Sequence, residues 1–320
     1  MVQAVSEPAA RGHDGFRHEA YLYRGVEDFL ASTASFVREG VATGQPVMVA
    51  VVAERLEPLR EDLGADADGV LFVDMAGLGR NPAGIIPAWR GFVDAFSAER
   101  QPVRGVGEPV WAGRREAEIA ECQLHEALLN MAITADTSLW LRCPYDVAAL
   151  DDSVVREMRR THPVLVDSGE YRGSTTYGGS DLADAMFGGP LGPPGPGCVS
   201  VDFDATDLAF VRAVVRDTAE EAGLGADAVD DLELAVHELS TNSVRHGGGR
   251  GRLLTWQEPE ALVHEVRDTG TITDPLAGRH WPAAEASGGR GLWLANQLCD
   301  LVQVRSDGDA TTVRVTTWTG

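Results

Sequence analysis

The sequence predicts an α/β protein of two domains: a mostly parallel sheet with helices on both faces, then a two-layer α/β sandwich. Three observations predict it. Short apolar runs alternate with amphipathic stretches through the first half, the pattern of repeated strand–helix units. In the second half strands follow one another across short turns, which requires antiparallel pairing. Between the halves, "GGSDLADAMFGGPLGPPGPGC" is dominated by Gly and Pro without a sustained apolar period, and reads as a linker, extended where its prolines cluster. The first domain is thus expected over 16–177, the linker over 178–197 and the second domain over 198–318.

In the first domain "HEAYLYRG", "QPVMVAVV", "GVLFVDM", "PVRGVGEPVW" and "TSLWLRCPYD" are the expected strands. The continuous apolar run "VMVAVV" suits a strand buried on both faces. Helical spacing marks "VEDFLASTASFVREGV", "ERLEPLREDLG", "PAGIIPAWRGFVDAFSAER" and "EAEIAECQLHEALLNMAI". In the second domain the order is a strand "CVSVDFD", helices "DLAFVRAVVRDTAEEAGL" and "ADAVDDLELAVHELSTNSVRHG", and strands "GRLLTWQEP" and "ALVHEVRDTG". A long polar loop, a helix "GLWLANQLCD" and two closing strands "LVQVRSD" and "ATTVRVTTW" complete it.

Composition narrows the function classes. A length of 320 residues suits two domains, and a hydrophobic content of 44% suits a soluble one. No run approaches the roughly 18 apolar residues of a membrane span. The opening "MVQAVSEPAARGHDG" lacks a charged-then-apolar signal layout, so a cytoplasmic location is expected. A formal charge of −22 repels phosphate backbones and argues against direct nucleic-acid binding. The four cysteines, Cys122, Cys143, Cys198 and Cys299, are scattered without a C-x-x-C pair, which argues against a structural zinc site and a disulfide framework. The chain has no lysine. A Walker A loop or a eukaryotic-type kinase therefore cannot be present in standard form, and any nucleotide chemistry must rest on magnesium, arginine and backbone amides.

Three polar segments stand out in the second domain. Glu238 and Asn242 lie four residues apart on one helical face, beside the packing face of Leu232, Ala235, Val236 and Leu239. The carboxylate can take a proton, and the amide oxygen is a hard ligand for Mg2+. Next, "VRDTG" places Asp268 and Gly270 at a strand end, where the carboxylate can accept from an amino group and the glycine permits close approach. Third, "ASGGRGLWL" puts glycines 288, 289 and 291 before a helix whose N-terminal amides suit phosphate. Taken singly, each also reads as ordinary structure: a solvated helix face, a tight turn, a helix start.

Their order, closed by "TTVRV", resembles the Bergerat-fold (GHKL) ATPases over nearly all of 198–318. Glu238 and Asn242 match the N box, Asp268 and Gly270 the first glycine box, and Gly289 and Gly291 the second. "DLAFVRAVVRDTAEEAGL" and "HELSTNSVRHG" are similar to the opening helices of the RsbW-type anti-sigma serine kinases. That resemblance implies ATP·Mg2+ binding and γ-phosphate transfer to a serine of an anti-anti-sigma partner of the STAS fold, with or without sequestration of a sigma factor. It makes Glu238 the general base and Asn242 the Mg2+ ligand. Arg245 or His246 would contact phosphate, and Asp268 would read adenine with support from Thr312. Gly289, Arg290, Gly291 and Leu292 would form the nucleotide-binding turn. The first glycine box departs from its fuller form, since position 272 is Ile; an ATP-binding sequestration module without kinase activity is the alternative. His237 is expected to be a packed or surface histidine and not a phosphoacceptor. Related kinases form dimers, so a homodimer is compatible with the resemblance.

In the first domain "FRHEAYLYRG", "GEPVW", "ECQLHEALLN", "LRCPYD" and "THP" resemble the MEDS sensory domain, a RecA-like α/β module of bacterial regulators. The resemblance implies sensing of a small-molecule signal whose identity is unknown. The segment "EGVATGQPVMVAV" sits where a RecA-like P-loop would be, but has no lysine and is not read as a phosphate cradle. Candidate ligand contacts are His18, Glu108, Trp111, His125, Glu126, Tyr145 and His162, with Glu108 and Asp146 expected at the C-terminal ends of strands. A metal site of His18, Glu108 and His125 is one arrangement, which the spacing does not demand.

Overall fold

A computed structural model of the chain describes residues 15–97, 101–280 and 289–319. The chain divides into two compact units after Ala183.

The first unit is built on a seven-stranded sheet. Its elements are β1 (Arg17–Tyr23), α1 (Gly25–Ala42), β2 (Val47–Val51), α2 (Ala53–Leu63), β3 (Val70–Asp74), α3 (Met75–Leu78), α4 (Ile85–Ser97), β4 (Val103–Gly107), α5 (Glu116–Ala132), β5 (Leu139–Asp146), α6 (Asp152–Thr161), β6 (Val164–Asp167) and β7 (Glu170–Gly173). The strand order is β3-β2-β4-β5-β1-β6-β7. Every pairing is parallel except β6 with β7. The expected mostly parallel sheet flanked by helices is therefore observed. The central strands β2 and β4 are buried along their whole length, as strands covered on both faces must be.

Two details correct the sequence reading. The hairpin of β6 and β7 was not anticipated; Ser168 and Gly169 both take positive φ, 53° and 79°, the geometry of a tight two-residue hairpin turn. The segment "EGVATGQPVMVAV" leaves α1 and enters β2. A P-loop runs the other way, from strand to helix, so this segment is no phosphate cradle on topological grounds as well.

Part of the expected linker is helical: α7 (Gly179–Gly188) occupies its first half. Leu182, Ala183 and Phe187 are buried there, and burying these apolar side chains stabilises a helix that the surrounding glycines disfavour. Beyond it, Gly195 lies so close to Trp256 that an added Cβ would meet the indole at 2.4 Å.

The second unit is a two-layer sandwich. Its elements are β8 (Val199–Asp204), α8 (Leu208–Glu221), α9 (Ala226–His246), β9 (Arg250–Glu258), β10 (Ala261–Asp268), α10 (Arg290–Leu298), β11 (Leu301–Ser306) and β12 (Thr311–Trp318). The five strands run antiparallel in the order β11-β12-β10-β9-β8. Leu232, Ala235, Val236 and Leu239 on α9 are all buried, as their spacing requires. No described helix is long and apolar enough to cross a membrane.

Candidate functional site

Helix α9 ends where the sequence supplies a stop. Arg245 and His246 occupy its last turn, at the negative end of the helix dipole, where positive charge is favourable, and Gly247 terminates it. Gly247 is needed for its smallness. A Cβ there would lie 2.3 Å from Asp268 Cγ and 2.5 Å from Oδ1, so the helix end and the end of β10 touch through this glycine.

Asp268 is a hub. Ser243 Oγ donates to its Oδ2 at 2.5 Å, and the Gly270 N–H donates to its Oδ1 at 2.8 Å. A carboxylate has about four lone-pair positions, so each oxygen keeps acceptor capacity for a ligand. Thr311 Oγ1 donates to the Gly270 carbonyl at 2.9 Å, and the Ile272 N–H donates to Ser306 Oγ at 3.0 Å. The turn after β10 is thereby held by both closing strands.

The start of α10 meets the same helix. Gly289, its N-cap, is left-handed at φ 86°, a conformation that favours glycine. A Cβ on Gly291 would meet Asn242 Nδ2 at 2.9 Å and Glu238 Oε2 at 3.1 Å. The segment after β10 also covers α10: the Asn296 amide donates to the Gly278 carbonyl at 3.0 Å.

These contacts enclose a cavity of ≈ 390 Å³, within the size range of small-ligand sites. Of the predicted residues, Asn242, His246, Asp268, Gly270, Gly289 and Leu292 line it. Glu238 and Gly291 stand just behind, in contact with each other. Arg245 and Arg290 are exposed and are not part of the lining. Gly288 lies outside the described residues. A larger hollow of ≈ 750 Å³ reaches the other side of Asp268, but none of its lining comes from α9 or α10, so it lacks the carboxylate–amide pair and the helix N-terminus. His237 is half-buried away from the ≈ 390 Å³ cavity, beside Arg212, Arg216, Asp230 and Glu233.

Thr312 requires a correction. Asp268 pairs directly with Thr311, while Thr312 pairs with Arg267. Side chains alternate faces along a strand, so Thr311 and Val313 face the cavity and Thr312 points to the opposite face. Sequence reasoning also missed Ser243. Its only signal is a small polar residue on the buried stripe of α9, four residues after Leu239.

In the first unit the predicted polar groups separate into two sets. Glu108 sits at the C-terminal end of β4; it accepts from Tyr23 Oη at 2.9 Å and pairs with Arg55. His18 instead meets Glu126, with Nε2 3.0 Å from Oε2. Tyr145 Oη donates to Glu126 Oε1 at 3.2 Å, and His162 Nε2 lies 3.5 Å from Glu126 Oε2. Burial pushes the His162 imidazole down to about 3, so it is neutral. The grouping of His18, Glu108 and His125 is thus not formed, because Arg55 and Tyr23 hold Glu108 on another set of contacts. His125 is buried, and Trp111 carries the guanidinium of Arg114 on its ring.

Comparison with known proteins places both units. Residues 17–163 match the family model of the MEDS domain, the methanogen/methylotroph DcmR sensory domain. Residues 201–317 match the model of the histidine kinase-like ATPase domain. The two matches cover separate segments, one in each compact unit. The second is similar to two serine-protein kinases RsbW of Bacillus licheniformis, one of them from a named strain. Each is 28% identical, over 118 and 119 residues, covering 32% of this chain and 74% of the relative. A crystal structure of the RsbU and RsbW domains of a Mycobacterium tuberculosis protein matches at 20% identity with a TM-score of 0.29. It covers 39% of this chain and 32% of its own.

Proposed function

We propose that the second unit binds ATP·Mg2+ and transfers the γ-phosphate to a serine of an anti-anti-sigma partner of the STAS fold, and that the first unit biases this activity in response to a small-molecule signal. One observation supports the reading: Asn242 on α9, Asp268 and Gly270 after β10, and Gly289 at the start of α10 line one cavity, with Glu238 and Gly291 side by side next to Asn242. In this reading Asp268 accepts from the adenine amino group, with Thr311 fixing the Gly270 carbonyl beside it. The amides at the start of α10 receive phosphate. The residues present fit magnesium. Asn242 lines the cavity and offers an amide oxygen, a hard donor of the kind that ion prefers. The ion would supply charge neutralisation at the phosphates. In this reading Glu238, beside Asn242 and Gly291, takes the proton of the attacking hydroxyl. Sigma-factor control by sequestration alone is the second reading, favoured by Ile272, whose N–H is already bonded to Ser306 and so not free for phosphate.

The test is transfer of label from γ-labelled ATP to a STAS partner. Glu238→Gln is expected to lower transfer on the order of 10²- to 10⁴-fold while nucleotide still binds. No label from the wild-type chain, beside a competent control kinase, defeats the kinase reading. Partner control that survives Glu238→Gln selects sequestration.

A further inference from the structure

Four side chains from separate parts of the first unit meet at one buried point: His18 of β1, Glu126 of α5, Cys143 of β5 and His162, which follows α6. Their ligand-type atoms all lie within 4.8 Å of one another. None of the four residues is more than 2% exposed.

The distances have the scale of a coordination shell. His18 Nε2 to Glu126 Oε2 is 3.0 Å, His18 Nε2 to Cys143 Sγ 3.4 Å, His162 Nε2 to Glu126 Oε2 3.5 Å, and Cys143 Sγ to Glu126 Oε2 3.7 Å. A tetrahedral ion with bonds of about 2.0–2.3 Å separates its ligands by roughly 3.3–3.8 Å.

The surroundings fix which ring nitrogen faces inward. His18 Nδ1 lies 3.0 Å from Asn130 Oδ1. The Asn130 amide nitrogen donates to the carbonyls of Glu126 and Thr161, each at 2.9 Å, so its oxygen is the atom turned to His18 and accepts the Nδ1 proton. His162 Nδ1 donates to the Met158 carbonyl at 3.0 Å. With Nδ1 of each ring held by an oxygen acceptor, Nε2 of both imidazoles is turned to the same carboxylate oxygen. The His162 Nε2 has no hydrogen-bond donor. Two ring nitrogens, a carboxylate oxygen and a thiol sulfur thus converge on one buried point, where a cation would offset the cost of burying the Glu126 charge. Outer hydrogen bonds from the remote ring nitrogen to a carbonyl, and from Tyr145 to the second oxygen of Glu126, are the arrangement that orients metal ligands.

We propose that the first unit holds one divalent transition metal of the zinc class, four-coordinated by His18 Nε2, His162 Nε2, Glu126 Oε2 and Cys143 Sγ. Two imidazoles and a thiolate select such a metal over magnesium or calcium, and four protein ligands make the site closed. Binding forms the metal–sulfur bond and releases the Cys143 thiol proton to solvent. Because the site is buried, the ion enters as the unit folds. The scattered cysteines argued against zinc on spacing alone, yet the ligands come from four distant segments, and a spacing rule cannot detect such a set.

The test uses the full chain, purified without a metal-affinity step. About one equivalent of metal is expected on elemental analysis. The chain is then unfolded in guanidinium with chelator and refolded with cobalt(II) as the only metal. The expected spectrum shows tetrahedral ligand-field bands and a sulfur-to-cobalt charge-transfer band. Cys143→Ser should lose the charge-transfer band, and His162→Gln should lose the tetrahedral pattern. If either variant fails to refold, the wild-type spectrum decides. A wild-type chain that regains its native circular dichroism without taking up cobalt, or binds it without a sulfur band, overturns the proposal. A sulfur band that persists in Cys143→Ser overturns the ligand assignment.

Discussion

Gly247→Ala probes the joint between α9 and β10 with a single methyl group. The new carbon would lie 2.3, 2.5 and 2.6 Å from Asp268 Cγ, Oδ1 and Cβ, far inside normal contact. The backbone at Gly247 has φ −97°, which alanine adopts freely, so any effect comes from the collision alone. The carboxylate must move, and it carries the bonds from Ser243 Oγ at 2.5 Å and from the Gly270 N–H at 2.8 Å. Overpacking of this kind costs about 1–3 kcal/mol. If the same displacement is felt by adenine, nucleotide affinity falls on the order of 5- to 150-fold. The melting temperature should fall by roughly 2–4 °C per kcal/mol. Gly192→Ala is the control, since a Cβ there meets nothing within 4 Å and should leave both quantities unchanged. The assay is titration of a fluorescent ATP analogue into each purified chain, with thermal denaturation alongside. A folded Gly247→Ala chain that binds the analogue as tightly as wild type refutes the role given to Asp268.

The remaining predictions concern register and protonation. Thr311→Val removes the donor to the Gly270 carbonyl and should weaken nucleotide binding by the worth of one hydrogen bond, about 0.5–1.5 kcal/mol; Thr312→Val, on the opposite face, should not, and equal effects in a binding titration would refute the register argument. Burial holds the His264 imidazole down at about 4 against an ordinary 6.5, and Thr218 Oγ1 lies 3.0 Å from its Nε2. Above pH 6.5 this histidine is neutral in both states and its stabilisation is complete. Between 6.5 and about 4 the unfolded chain takes up the proton first, so stability falls as pH drops, by about 3 kcal/mol in all. Urea denaturation across that window should show a shallower fall for His264→Gln than for wild type, and parallel curves would contradict the assignment.

The second unit was legible because its signals are local and mutually consistent. The 3.6-residue stripe of Leu232, Ala235, Val236 and Leu239 fixes the face of α9 and so places Asn242 beside the cavity. Strand-to-strand turns fix the antiparallel order. The phase of "TTVRV" was not legible, because two adjacent threonines fit either face until pairing with Asp268 chooses one. Ser243 was hidden because a serine on a buried stripe looks like any small residue until its partner from β10 is known. In the first unit the repeated strand–helix pattern revealed the parallel sheet. The edge hairpin escaped notice, being short and only partly buried and so weakly patterned. Glu108 and Asp146 were placed correctly at strand ends, but the partners of Glu108 were not readable, since Arg55 comes from α2 and Tyr23 from the end of β1. The meeting of His18, Glu126, Cys143 and His162 depends on the order β4-β5-β1-β6, which no spacing along the chain encodes.

The central claim is that three separated segments of the second unit close on one nucleotide. Hydrogen–deuterium exchange of the full chain with and without ATP·Mg2+ tests it most directly. Slowed exchange is expected together at the end of α9, in the turn after β10 and at the start of α10, with β8 and the edge of β9 little changed. Unchanged exchange in all three at saturating nucleotide, or protection in one of them without the others, would contradict the account.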